Sequence, residues 1–129
     1  MIGSADRGIQ LYSAPRENEV VGNVVSGGND NFVFDSQATT QNVHGNVVAN
    51  AANDNVYDGP TLSGKGNRFD DNCAWLPGGA GGVSAGPGLT ASANVTANPR
   101  FDSSLEDGVV KVTNPTCAAK LPAGSRFRP

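Results

Sequence analysis

Apolar side chains along this chain fall into short runs that come back in the same order. Ile9, Phe32 and Val56 open one set, with Leu11 and Phe34 two places further on. Val20, Val43 and Phe69 make a second set, and Val25, Val48 and Ala74 a third. Polar residues alternate with these positions, the period-2 pattern of a strand that buries one face. Asn, Gly and Asp separate the runs and mark turns. No stretch sustains a helical period, so strands this short must be held by one another.

The order of the runs is itself a repeat. Asn18-Glu19-Val20-Val21-Gly22-Asn23-Val24-Val25 returns as Gln41-Asn42-Val43-His44-Gly45-Asn46-Val47-Val48, and more weakly as Asn67-Arg68-Phe69-Asp70-Asp71-Asn72-Cys73-Ala74. Self-similarity with a period of about 23 to 26 residues predicts stacked coils, in which like residues line up as ladders. Between Asn29-Asp30-Asn31 and Asn53-Asp54-Asn55 the register slips by one residue. Tyr57 and Asp58 then compete for the place opposite Phe34, and an apolar core favours Tyr57 inside. Coils are expected over residues 1–76. The Gly/Pro-rich stretch 77–93 reads as a loop leaving the stack. Residues 94–129, with the strand Val109-Val110-Lys111-Val112, read as the last coil and a C-terminal cap. The chain runs almost at once into the repeat-like strand Gly8-Ile9-Gln10-Leu11-Tyr12-Ser13, which suggests one domain cut from a longer array, with an open first coil.

Composition narrows the possibilities. The 129 residues are 37% hydrophobic and only 6% aromatic, too lean for a conventional two-layer core, and 17 of them are glycine. A net charge of −3 with no basic cluster argues against nucleic-acid binding. No apolar run is long enough to span a bilayer. Met1 to Arg7 lack the apolar segment of a signal peptide. Cys73 and Cys117 are compatible either with a disulfide, which would point to an oxidising compartment, or with two buried thiols.

The apolar strand followed by Asn23, Asn46 or Asn72 at the turn resembles the repeats of right-handed parallel β-helix proteins of the pectate-lyase-like superfamily. The segment Asn94-Val95-Thr96-Ala97-Asn98-Pro99-Arg100-Phe101-Asp102, followed by Leu121-Pro122-Ala123-Gly124-Ser125 with Arg126 where a proline is common, resembles the end of secreted members. The resemblance spans residues 8–129. It implies an all-β right-handed parallel β-helix of about three to four coils, an extracellular setting and a dealing with polysaccharide. The superfamily includes lyases, glycoside hydrolases, epimerases, adhesins and phage tailspikes, so the fold does not name the function. Lyase members use calcium and basic residues to take a proton beside a uronate carboxylate. Lys65 and Arg68 near Asp70 and Asp71 match no such motif, and the acidic motifs of the hydrolases are absent.

Several residues are candidates for chemistry in their own right. The turn asparagines can hydrogen-bond along a ladder spaced at about 4.8 Å, a structural role. Asp35 and Asp58 stand nearly one coil apart, as paired carboxylates for sugar chemistry would. Asp30 and Asp54 are equivalent turn positions that could share a calcium ion; both pairs are equally explained as turn formers. His44, the single histidine, is expected outward beside Asp70 on the next coil with Arg68 near, as base and substrate clamp or as a plain surface ion pair. Tyr57 could stack on a sugar ring. The expected partners are a polysaccharide or upstream β-helix coils, with self-association possible through the open N-terminal end. The rival expectation is a non-enzymatic structural module of a surface protein, adhesin or tailspike.

Overall fold

The coordinates are a computed structural model that describes residues 6–12, 16–102 and 110–125. Met1 to Ala5, Ser13, Val109 and Arg126, which enter the sequence reading, lie outside them. The chain winds through about four turns of a parallel β-helix. The first turn carries β1 (Arg7–Leu11), β2 (Glu19–Val21) and β3 (Val24–Ser26); the second carries β4 (Asp30–Phe34), β5 (Asn42–His44) and β6 (Val47–Ala49). The third carries β7 (Val56–Asp58), β8 (Asn67–Asp70) and β9 (Cys73–Trp75). Strands of like position pair in parallel, giving sheets β1-β4-β7, β3-β6-β9 and, with β10 (Leu89–Ser92), β2-β5-β8-β10.

The apolar rows are those of the repeat. Ile9 pairs with Phe32 and Phe32 with Val56; Val20 with Val43 and Val43 with Phe69; Val25 with Val48 and Val48 with Ala74. These rows point inward and merge with Leu11, Phe34, Ala38 and Leu89 into one core. Phe32 and Phe69, on different sheets, meet edge to face at 6.1 Å, a geometry that suits the ring quadrupoles.

The slipped register resolves against the sequence expectation. Asp58, not Tyr57, pairs with Phe34, while Tyr57 pairs with Val33 on the outward side. The reason lies one turn above: Ser84 Oγ donates to Asp58 Oδ1 at 2.9 Å, so a carboxylate at the end of the strand is hydrogen-bonded instead of buried bare. The stretch 77–93 also differs from expectation. It stays in the stack: Val83 bridges Val56, β10 pairs with β8, and Val95 bridges Cys73, together forming a fourth turn. Glycine supplies the room, since a Cβ at Gly88 would sit 2.4 Å from the Gly64 carbonyl oxygen.

The corners between sheets hold buried amides. At the corner after β2, β5, β8 and β10, the backbone N–H of Asn23 donates to Asn46 Oδ1, that of Asn46 to Asn72 Oδ1 and that of Asn72 to Asn94 Oδ1, each at 2.9 Å. The side-chain amides repeat the same steps at 3.0 to 3.2 Å. The residue before each rung has positive φ: Gly22, Gly45, Asp71 and Ala93. Left-handed backbone turns the corner and aims the following asparagine inward, which is the physical content of the Gly/Asp-Asn-apolar step. A second corner repeats the device. Glu17, Thr40 and Gly66 take positive φ before Asn18, Gln41 and Asn67, linked by Asn18 Nδ2 to Gln41 Oε1 and Gln41 N to Asn67 Oδ1. Asn31 Nδ2 donates to Asn55 Oδ1 at the third corner.

The C-terminal segment is irregular and covers a side of the stack, not its last turn. It contains β11 (Phe101–Asp102) and β12 (Lys111–Val112), an antiparallel pair, and α1 (Pro115–Ala118), capped by Asn114. Val112 and Cys117, with Phe101 and Leu121, pack on Val24, Val47 and Cys73, the outward row of β3-β6-β9. The strap runs back down three turns. Cys117 is disulfide-bonded to Cys73, Lys120 ion-pairs with Asp71, and Pro122 lies against Gly22 of the first turn. Both cysteines thus take the disulfide alternative.

Candidate functional site

The three sheets differ in what they show to solvent. The outward row of β3-β6-β9 is under the strap. On β1-β4-β7 the outward Val33 is fully buried and Tyr57 half-buried. The remaining sheet, β2-β5-β8-β10, presents two outward rows. Glu19, Asn42, Arg68 and Thr90 are in register in one, and Val21, His44, Asp70 and Ser92 in the other. Glu19, Arg68, Thr90 and Ser92 are exposed.

Charge on this face is paired internally. His44 Nε2 meets Glu19 Oε1 at 2.5 Å, one turn below. His44 is in register with Asp70 as the sequence suggests, but the carboxylate it engages is Glu19. The reason is competition: Arg68 Nε and Nη2 reach Asp70 Oδ2 at 2.7 and 2.6 Å, and Ser92 donates to Oδ1 through its N–H at 3.0 Å and its hydroxyl at 2.8 Å. Asp70 is nearly buried with both oxygens occupied, so it serves as an anchor for Arg68 and β10 and has no free lone pair aimed at a proton to move. Arg68 stays outward with its side chain 61% exposed. Each exposed pair is worth little in stability; together they fix the side-chain geometry of the face.

The other candidates are distributed elsewhere. Asp35 and Asp58 are not equivalent. Asp35 stacks on Gly59, whose Cβ would fall 2.5 Å from the Asp35 carboxyl carbon, and it accepts from Ser36 N at 2.7 Å and from the Thr61 hydroxyl. It is closing a turn, while Asp58 holds Ser84. Asp30 and Asp54 do lie one turn apart, with Asp54 N donating to Asp30 Oδ1 at 3.3 Å. Burial, then the charges of Asp30 and Asp58, hold the Asp54 carboxyl above its ordinary range. Among the described residues no group of three or more His, Cys, Asp or Glu is placed to share a metal ion.

Glu19, Thr90 and Ser92 escape the sequence reading as site residues, as does Asn94 as the fourth rung. Asn94 stands 22 residues after Asn72, close to the separations of 23 and 26 between the other rungs. Ser92 and Thr90 carry no signal, because they follow the Gly-rich segment whose length hides the repeat. The chain matches no known protein family, no curated protein and no solved structure.

Proposed function

We propose that this chain is an extracellular carbohydrate-interacting β-helix that binds an extended polysaccharide on the outward face of β2-β5-β8-β10 without cleaving it. The observation that carries the reading is the contrast among the three sheets. One is covered by the strap and one is largely closed, while the third offers one wholly polar row, Glu19, Asn42, Arg68 and Thr90, beside a row that begins at the exposed Val21, both repeating at the strand spacing of about 4.8 Å. An extended chain laid along the stack would meet Glu19, Asn42, Arg68 and Thr90 in turn. Arg68, braced by Asp70, is preorganised to donate to hydroxyl or carboxyl oxygens with little ordering cost on binding. The carboxylates support binding without cleavage: Asp35, Asp58 and Asp70 each accept hydrogen bonds from the fold, whereas glycoside cleavage uses two facing carboxyl groups that exchange protons. The repeat-level likeness to the pectate-lyase-like superfamily and a disulfide suited to an oxidising compartment support the same setting.

The test is a glycan array followed by calorimetry on the ligand retained. Arg68→Ala is expected to weaken binding roughly tenfold, the value of one charge-assisted hydrogen bond, and to lower Tm because Asp70 Oδ2 loses its donor, so binding is measured well below the variant's transition. Reducing-sugar and uronate-release assays on the same ligand are expected to stay at background. A blank array, or an array hit that Arg68→Ala and Thr90→Ala both leave untouched, would remove the proposal. The second reading, a non-enzymatic structural module, is favoured by the internal pairing of Glu19 with His44 and Arg68 with Asp70, and a blank array would leave it standing.

A further inference from the structure

The four-rung asparagine ladder has a direction. Every rung below the top gives its backbone N–H and side-chain amide upward, and every rung above the bottom accepts on Oδ1 from below. At the lower end, Asn23 Oδ1 has no donor among the described residues. At the upper end, Asn94 Nδ2 donates to Phe69 O, and among the described residues its second amide hydrogen and its backbone N–H have no acceptor. One end of the molecule therefore lacks what the other end offers.

The strands around this ladder are complementary in the same sense. Among the described residues no strand pairs with the lower edge of β2 or the upper edge of β10. Thr90, Ala91 and Ser92 are exposed, Ala91 included although its row, Val20-Val43-Phe69-Ala91, points into the core. Val20 at the other end of that row is half-buried. The strap descends toward the first turn and, among the described residues, does not close over β10. No charged side chain lies on β10 to oppose Glu19 or the rest of the first turn.

We propose that copies of this chain stack head to tail, the fourth turn of one on the first turn of the next. Asn23 of the upper copy becomes the fifth rung on Asn94 of the lower one, and β2 pairs in parallel with β10. The contact is heterologous, since the two surfaces differ, and so it builds open rods instead of closed dimers. It satisfies the free edges that a stack of strands otherwise leaves to chance association.

Continuing the row Val21-His44-Asp70-Ser92 places Ser92 of one copy beside Val21 of the next. Both positions are exposed, so Ser92→Cys and Val21→Cys can be made without touching the core. Each variant is mixed with the other, and each is also kept alone, under mild oxidation that leaves Cys73–Cys117 intact. Cross-linked dimer is expected to form on the order of tenfold faster in the mixture than in either variant alone, the effect of a raised local concentration. Sedimentation of the unmodified protein should show mass rising with concentration. Equal rates in all three tubes, or a faster homodimer of either variant, would overturn head-to-tail stacking; so would a sedimenting monomer at every concentration.

Discussion

A single asparagine per turn closes the account of buried polar groups at the corner. Asn46 is fully buried, accepts from Asn23 N and Nδ2, and donates to His44 O and Asn72 Oδ1. Asn46→Ala strands the Asn23 backbone N–H and removes the donor to His44 O, while Asn72 Oδ1 keeps the backbone N–H of residue 46, so a loss of about 2–4 kcal/mol is expected in urea unfolding. Asn23→Ala, with a rung on one side only, should cost about 1 kcal/mol. Ala93 stands in the left-handed region at φ 55 where the first two rungs have glycine; Ala93→Gly is expected to raise stability by about 1 kcal/mol, read by the same melts. Asp54 behaves in the opposite way to a salt-bridged carboxylate. Its pKa in the folded state lies above the ordinary value of an aspartate, because of burial first and then the charges of Asp30 and Asp58. The cost of its charge is therefore present above that raised value and disappears as pH falls toward the unfolded one. Asp54→Asn should raise Tm at neutral pH and leave it unchanged in acid. Asn94-Val95-Thr96 has the form of an N-glycosylation acceptor, but its asparagine is a ladder rung, so a glycan there would break the corner.

Among the elements, the strap matters most for stability. Its apolar residues bury the outward row of β3-β6-β9, which would otherwise expose Val24 and Val47. Glycine makes the close approach possible: a Cβ at Gly45 would lie 3.2 Å from the Lys120 carbonyl oxygen. The disulfide closes a loop of 44 residues, and in the chain-entropy account such a loop contributes about 4 kcal/mol. Replacing both cysteines by alanine should cost a similar amount. Limited proteolysis is then expected to begin in the segment after Ala97, while the parallel strands keep their far-ultraviolet circular dichroism. Simultaneous loss of both signals would show that strap and stack unfold as one unit.

At the scale of the molecule, the parallel stack sets which surfaces are available. Three sheet faces and two ends are all that a short β-helix offers, and the strap removes one face. What remains is the largely closed face of β1-β4-β7, the face of β2-β5-β8-β10 to which the ligand is proposed to bind, and the two ends through which copies are proposed to stack. The two proposals are separable, since Arg68→Ala tests the face without disturbing either end. Rods built from the ends would also align the polar faces of successive copies, so a long polysaccharide would bind with avidity that a monomer lacks.

The repeat in the sequence determined the parallel strands, the inward rows and the first asparagine ladder, because stacking forces like residues into register. It also showed that His44 faces outward, since alternation with Val43 leaves no other choice. Only the tertiary structure decided the rest. Asp58 displaced Tyr57 because Ser84, remote in sequence, hydrogen-bonds it. Asp70 was taken from His44 by Arg68 and Ser92, and Glu19 took its place. The Gly-rich stretch entered the stack because glycine packs where a Cβ cannot, a steric fact that its loop-like composition conceals. The strap found the side of the helix because Val24, Val47 and Cys73 form an apolar stripe across three turns. That stripe is scattered along the chain and becomes a surface only when the turns are stacked.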